Sequence, residues 1–289
     1  MVLKKLRNNI LKYFIGMINR AVVISTNPNV DYLFYLPIVT WAWNIFGWNV
    51  ICVIPATYSH SSIMSFVFNT ANKYCNVGFI PFENIDGYRS ETIAQCSRLY
   101  VSGVDMDLFG NDYYLMTSDV DMLPLSDYWN PDYDKITSWG RDLSDKHYPI
   151  CYIGARQSEW IQFMNLTHGY QADLKRDLDL MPEAKSDNWQ EWWQVDQQHV
   201  TKVLNEQKEI IRIDRGIDKN TGYPIGRIDR SAWEKSLLQK ERIDCHLLRP
   251  GYTTENFEKI IALIKENFNP PQEEMDWITE YRNEYIKML

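Results

Sequence analysis

Cysteine and histidine are both scarce, with 5 of each in 289 residues, and no CxxC pair occurs. Cys52, Cys75, Cys96, Cys151 and Cys245 are scattered and odd in number, so neither a disulfide framework nor a zinc site is indicated. Four of the five lie in apolar runs and read as reduced core residues. Positive charge is also short. The net charge of −8 and pI near 5.2 give a field that repels a polyanion, which excludes nucleic acid as the expected partner. A local basic pocket for a small anion stays open. The long apolar run of a membrane span or signal peptide is missing. Repeats and low-complexity segments are missing as well.

Ordinary globular composition remains, at 45% hydrophobic and 24% charged. The length suits one large α/β domain spanning 1–289. Residues 1–20, MVLKKLRNNILKYFIGMINR, are basic and amphipathic, with Leu3, Leu6, Ile10, Phe14 and Met17 near helical spacing. The plain reading is a helix packed on the domain. The sharper one is peripheral membrane contact, with Lys4, Lys5, Arg7 and Lys12 facing anionic lipid. The expected location is the cytoplasm.

Residues 21–26 (AVVIST), 49–54 (NVICVI), 77–82 (VGFIPF) and 113–118 (YYLMTS) read as buried strands. The segments between them carry helical patterns: 30–46 with Pro37 near a helix start, 59–74, and 90–103 stopped by Gly103. Alternation of this kind predicts a Rossmann-type, doubly wound, mostly parallel sheet with helices on both faces. This half, about 21–125, is read as the nucleotide-binding half. A second half, about 126–250, shares the sheet. It has a loop-like, acidic start, a strand at 148–155, a polar stretch at 171–190, a helix within 190–207, a strand at 208–214 and an irregular remainder. C-terminal helices are expected near 254–268 and 271–288, within a segment of about 251–289.

Four DxD triplets occur: Asp105/Asp107, Asp119/Asp121, Asp132/Asp134 and Asp177/Asp179. Three lie in polar surroundings, where solvated charge is the better reading. Only Asp119/Asp121, in YYLMTSDVDMLPL, follows a buried strand and precedes another apolar run. If the segment stays extended, side chains two apart point the same way, so both carboxylates approach one ligand. Hard oxygen donors suit Mg²⁺ or Mn²⁺ completed by phosphate oxygens and water. The plain alternative is an acidic turn at a helix N-terminus. A phosphatase built on the first Asp normally has a threonine shortly after the pair, and here Met122 and Leu123 follow.

Taken together, STNPN after the first strand, YRSETIAQCSRLY and LMTSDVDMLPL resemble the GT-A class of nucleotide-sugar glycosyltransferases. The likeness is to small metal-dependent members such as those of large DNA viruses. It is best over 21–125 and thins to isolated landmarks beyond. The resemblance implies a GT-A fold, a Mn²⁺ or Mg²⁺ cofactor, a nucleoside diphosphate sugar donor and a glycan acceptor. It implies metal contacts from Asp121 and, directly or through water, Asp119, with His246 of IDCHLLRPGY as a late third ligand. For the donor it implies Ser25, Thr26, Asn27, Arg98, Gln95, Ser118, Asp119 and Arg249, with Arg89 a second basic candidate. On its predicted helix Arg98 shares a polar face with Gln95 and Glu91, opposite Ile93, Cys96 and Leu99; the plain reading is a solvated face.

The chain carries 11 tryptophans and 18 tyrosines. Trp139, Trp192, Trp193 and Tyr148 lie in polar context, which predicts exposure in an acceptor cleft; packing between lobes is the equal alternative. The family has a glycine pair after the acceptor strand; this chain departs from that pattern and has only Gly154, in Ile153-Gly154-Ala155, as the acceptor-side candidate. By resemblance Asp196 of WWQVDQQHV is the general base of an inverting transfer, the alternative being a helix cap. A retaining enzyme of the same fold and a non-catalytic carbohydrate-binding protein are the rival readings. A nucleotidyltransferase is a third, weakened because STNPNVD lacks the glycine and lysine of its basic loop.

Overall fold

A computed structural model describes residues 20–104, 113–140 and 147–289. The expected N-terminal helix and the Asp105/Asp107 pair lie outside the described residues. Ten strands are described: β1 (Arg20–Ser25), β2 (Asn49–Pro55), β3 (Val77–Phe82), β4 (Tyr114–Thr117), β5 (Met122–Pro124), β6 (Ile136–Trp139), β7 (Ile153–Arg156), β8 (Ile210–Ile213), β9 (Arg227–Asp229) and β10 (Asp244–His246). The longer helices are α1 (Leu36–Ile45), α2 (Ser62–Tyr74), α3 (Ser90–Ser97), α4 (Gln157–Phe163), α5 (Tyr170–Asp179), α6 (Val195–Asn205), α7 (Thr254–Phe268) and α8 (Gln272–Met288). Among the described residues no helix is long and apolar enough to cross a membrane.

The main sheet has seven strands in the order β3-β2-β1-β4-β7-β6-β8. Every pairing is parallel except those of β7, which runs against both its neighbours. This is the mostly parallel α/β sheet that the alternating pattern predicts. Side-chain alternation in the strands decides which helices each face receives. Val22, Ile24, Val50 and Cys52 pack with residues of α1, α2, α7 and α8. Ala21, Val23, Ile51 and Val53 pack with residues of α3, α4, α5 and α6 on the other face. A small second sheet, β5-β10-β9, stands beside the first.

Several local expectations change. The strand expected over 148–155 is confined to Ile153–Arg156, because Tyr152 turns the chain at φ 69°. The loop-like 126–148 contains β6, and the polar 171–190 contains α5, whose Leu174 and Leu178 are buried one turn apart. Asp177 of α5 is also buried, bonded to Tyr100 and Arg176, so it is not the solvated charge its surroundings suggested. The irregular 215–250 contains β9 and β10. The helix from Ser90 tightens into a 3₁₀ turn at Arg98–Gly103.

Gly154 is a packing position rather than part of a cleft wall. A Cβ there would sit 2.6 Å from the ring and hydroxyl of Tyr114 on the neighbouring β4. Gly154→Val should therefore cost about 1–3 kcal/mol through overpacking, read by urea denaturation. Stability equal to the wild type would contradict this packing.

Candidate active site

A cleft of about 560 Å³ opens at one end of the main sheet. The strand order reverses between β1 and β4, because the chain winds outward through β2 and β3 and then returns to the opposite side of β1. Such a reversal leaves a crevice beyond the carboxyl ends of the two strands, the place where doubly wound sheets bind ligands. Ser25, Thr26 and Asn27 leave β1 there, and Asp119 and Asp121 follow β4. Because β7 is antiparallel, the segment entering it, Pro149 to Cys151, reaches the same end.

The acid pair is not extended. Met122 N–H donates to Asp119 O at 3.1 Å, so residues 119–122 form a turn between β4 and β5. The two side chains consequently meet different cations. Asp119, about one-third exposed, bonds Arg98 and accepts from the Cys151 thiol at 2.6 Å. Asp121 is buried, with Arg230 Nη1 at 2.7 Å, His246 Nε2 at 3.3 Å and Arg249 Nε at 3.7 Å from its Oδ2. Burial alone would raise the Asp121 pKa; His246, Arg230 and Arg249 outweigh it and hold the carboxyl well below its usual range.

The small sheet explains why His246 is here. Its register pairs His246 with Met122 on one side and with Asp229 on the other. That sets Asp121, His246 and Asp229 in a row, with His246 Nδ1 at 3.2 Å from Asp229 Oδ2. Burial would lower the imidazole pKa, but the two carboxylates raise it. Among the described residues no group of three or more His, Cys, Asp or Glu side chains forms a ready metal cage. Asp119 is turned to Arg98, so Asp119, Asp121 and His246 do not converge on one point.

Arg98 is the buried cation of the cleft floor, not part of a solvated helix face. It donates to Ser118 O at 2.8 Å and to Asp196 Oδ2 at 2.7 Å, besides Asp119. Asp196 lies in the first turn of α6, where its Oδ1 accepts the Gln197 N–H at 2.7 Å. Burial raises the Asp196 pKa, against the lowering effect of Arg98. Gln95 lines the cleft, and its buried Oε1 has no hydrogen-bond partner.

The remaining expected residues divide. Trp192 and Trp193 line the cleft, and Trp193 is well exposed. Trp139 reaches the cleft only as a buried core side chain, because it ends β6 in register with β8 and within the same buried cluster as Trp129 and Tyr152; the exposure expected of it is corrected. Tyr148 is half-buried under Arg212 and off the cleft wall. Ser118 is fully buried and acts through its backbone carbonyl. Arg89 lies outside the cleft, paired with Asp187 at 2.9 Å and placed over the Trp192 ring. Arg249 covers the ring of Tyr32, which itself lines the cleft.

Sequence reasoning missed Tyr32, Cys151, Arg227, Asp229 and Arg230. Only the alternation Arg227-Ile228-Asp229-Arg230 offered a local cue, that of a strand with a charged face. Behind the cleft, buried Asp244 receives both Arg215 (3.1 and 3.2 Å) and Arg227 (2.8 and 3.2 Å), and Arg227 reaches the cleft wall.

No protein-family model matches the chain, and no curated protein matches it in sequence. The chain is similar to the crystal structure of a galactosyltransferase, LgtC, solved in complex with donor and acceptor sugar analogues. The overlap has a TM-score of 0.47 and 12% identity, covering 89% of this chain and 99% of that one. A likeness of that size does not bear on residues or activity.

Burial alone would raise Asp244; Arg215 and Arg227 outweigh it and hold the carboxyl well below its usual range. A depressed carboxyl contributes its stability in full above the unfolded pKa, about 3.9, and loses it as pH falls below that. Asp244→Asn should cost about 3–5 kcal/mol at neutral pH, because it leaves two guanidiniums uncompensated. Its stability should also fall less steeply than the wild type below about pH 4. Denaturation at several pH values reads both effects, and an acid limb identical to the wild type would remove this account of Asp244.

Proposed function

We propose that the chain is a metal-dependent glycosyltransferase that moves a sugar from a nucleoside diphosphate sugar, UDP- or GDP-linked, to a hydroxyl of a glycan. The observation that supports this most is the row Asp121–His246–Asp229 at the mouth of the sheet's switch point. A carboxylate on one imidazole nitrogen is the arrangement that orients a metal-bound histidine. Asp121 would offer the oxygen donor that suits Mn²⁺ or Mg²⁺, and His246 a nitrogen donor that suits Mn²⁺ better, with phosphate oxygens and water completing the ion. Bound there, the metal would supply Lewis-acid stabilisation of the departing diphosphate, typically several kcal/mol.

The chain's own residues account for the rest of the reading. Asp119, held by Arg98, would meet the metal through water or accept from ribose hydroxyls. Ser25, Thr26, Asn27 and the unpartnered Gln95 Oε1 offer polar contacts in the same cleft. Trp192 and Trp193, with the Trp193 ring 6.4 Å from that of Tyr32, offer aromatic faces to an acceptor sugar in the same cleft. Asp196 is the base candidate in an inverting transfer. Its Oδ2 accepts from Arg98 and its Oδ1 from the Gln197 N–H, and a carboxylate oxygen has a second lone pair with which to meet an acceptor hydroxyl. Its raised pKa suits that task.

Calorimetric titration with UDP and with GDP, with and without Mn²⁺, tests the donor site. We expect one nucleotide to bind with Mn²⁺ present and Asp121→Ala to abolish that binding. Binding indifferent to both metal and mutation would sink the proposal. For the base, Asp196→Asn should lower kcat by about 10²–10⁴-fold while nucleotide affinity is kept. A variant that loses nucleotide affinity but keeps kcat would make Asp196 a residue that only positions Arg98.

A further inference from the structure

Asp121 is served by more positive charge than a waiting metal site would want. Arg230 Nη1 is its nearest cation, at 2.7 Å from Oδ2, the same oxygen that faces His246 Nε2 at 3.3 Å. A divalent ion shared by Asp121 and His246 would sit against the Arg230 guanidinium, because the oxygen that faces His246 is the one Arg230 holds. Arg249 lies 3.7 Å away on the same side, so the incoming ion would also meet a second guanidinium. At such distances, in a partly buried site, repulsion between like charges is only weakly screened.

Arg230 is well placed to move. It opens the short turn Arg230–Ala232 immediately after β9, and its side chain is about a quarter exposed. The backbone beneath it is fixed, because Asp229 Oδ1 accepts from Ser231 N–H at 2.9 Å while Asp229 Oδ2 holds His246. Its guanidinium has five N–H donors in a planar fork, more than one carboxylate oxygen can take and well matched to phosphate. It lines the same cleft as Asp119, Asp121 and His246.

We propose that Arg230 couples metal binding to diphosphate binding: it competes with the metal for Asp121 Oδ2, and the diphosphate draws it away. The proposal rests on the metal-dependent donor reading above. Neither ligand then binds well alone. The diphosphate gives Arg230 a second anionic partner and releases Asp121, and the metal in turn raises affinity for the diphosphate by the same factor, as linkage requires. Arg230 is a positioning residue in the metal step and a ligand of the phosphates in the donor step.

The test is titration of Mn²⁺ alone, and of Mn²⁺ with the nucleotide that binds, into wild type, Arg230→Gln, Arg230→Lys and Asp121→Ala, with bound Mn²⁺ read by electron paramagnetic resonance. Arg230→Gln should bind Mn²⁺ alone about tenfold more tightly than the wild type and lose most of the gain that nucleotide brings. Arg230→Lys, which keeps the charge, should stay near the wild type for Mn²⁺ alone. A damaged fold would weaken Mn²⁺ binding, so tighter binding is a change that mere structural loss does not produce. If Asp121→Ala abolishes Mn²⁺ binding while Arg230→Gln leaves both affinity and coupling unchanged, the role of Arg230 is overturned and the donor site stands. If Asp121→Ala leaves wild-type Mn²⁺ binding intact, the metal reading itself fails, and this proposal with it.

Discussion

Burying Asp121 at the end of β4 takes a carboxylate out of water, and the open end of the sheet is arranged around meeting that charge. An isolated buried carboxylate is costly enough that it would give up its charge. Here Arg230, His246 and Arg249 approach the same oxygen, and Asp121 stays ionised. The requirement reaches far along the chain. It brings the β9–β10 strands against β5 in a second sheet, because only that register puts His246 beside Asp121 and Asp229 beside His246. Asp119, one turn away, is met by a separate buried cation, Arg98, which also ties α6 to the floor through Asp196. The two carboxylates of the pair are tolerable because each has its own counter-charge.

The framework that holds these charges is ordinary packing. Strands with alternate residues on opposite faces collect α1, α2, α7 and α8 on one side and α3 to α6 on the other. Topology then places the cleft. With β1 between β2 and β4, the chain must reverse there, and the loops leaving β1 and β4 diverge. Asp119, Asp121 and the Ser25–Asn27 segment lie on those loops, so the fold delivers polar groups from distant positions to one cleft without a special local motif.

Much of the first half was readable because its signals are local. Continuous apolar runs bounded by turn residues marked β1 to β4, and the burial expected of the run before Asp119 made that one DxD stand out from three others. Arg98, Gln95 and Asp196 were selected by resemblance, and all three reach the cleft. The misses have physical causes. The strands β5, β6, β9 and β10 are only three or four residues long, too short for a period of two to register against loop composition. Trp139 sits next to Gly140 in polar surroundings, yet pairing with β8 carries it inward. Asp229 and Arg230 gained their meaning from a register between strands more than a hundred residues from Asp121. The assumption that residues 119–121 stay extended failed because the chain turns there to enter a second sheet, which sends the two carboxylates to different partners.

In the proposed donor site Asp121 and His246 together receive a divalent cation that also touches a diphosphate. Pulsed electron paramagnetic resonance of Mn²⁺ on the whole chain, with UDP or GDP present, addresses it most directly. Such a site should give coupling to one imidazole nitrogen and to phosphorus, with the nitrogen coupling lost in His246→Gln. A spectrum of hydrated Mn²⁺ without nitrogen or phosphorus, or a nitrogen coupling that survives His246→Gln, would contradict it.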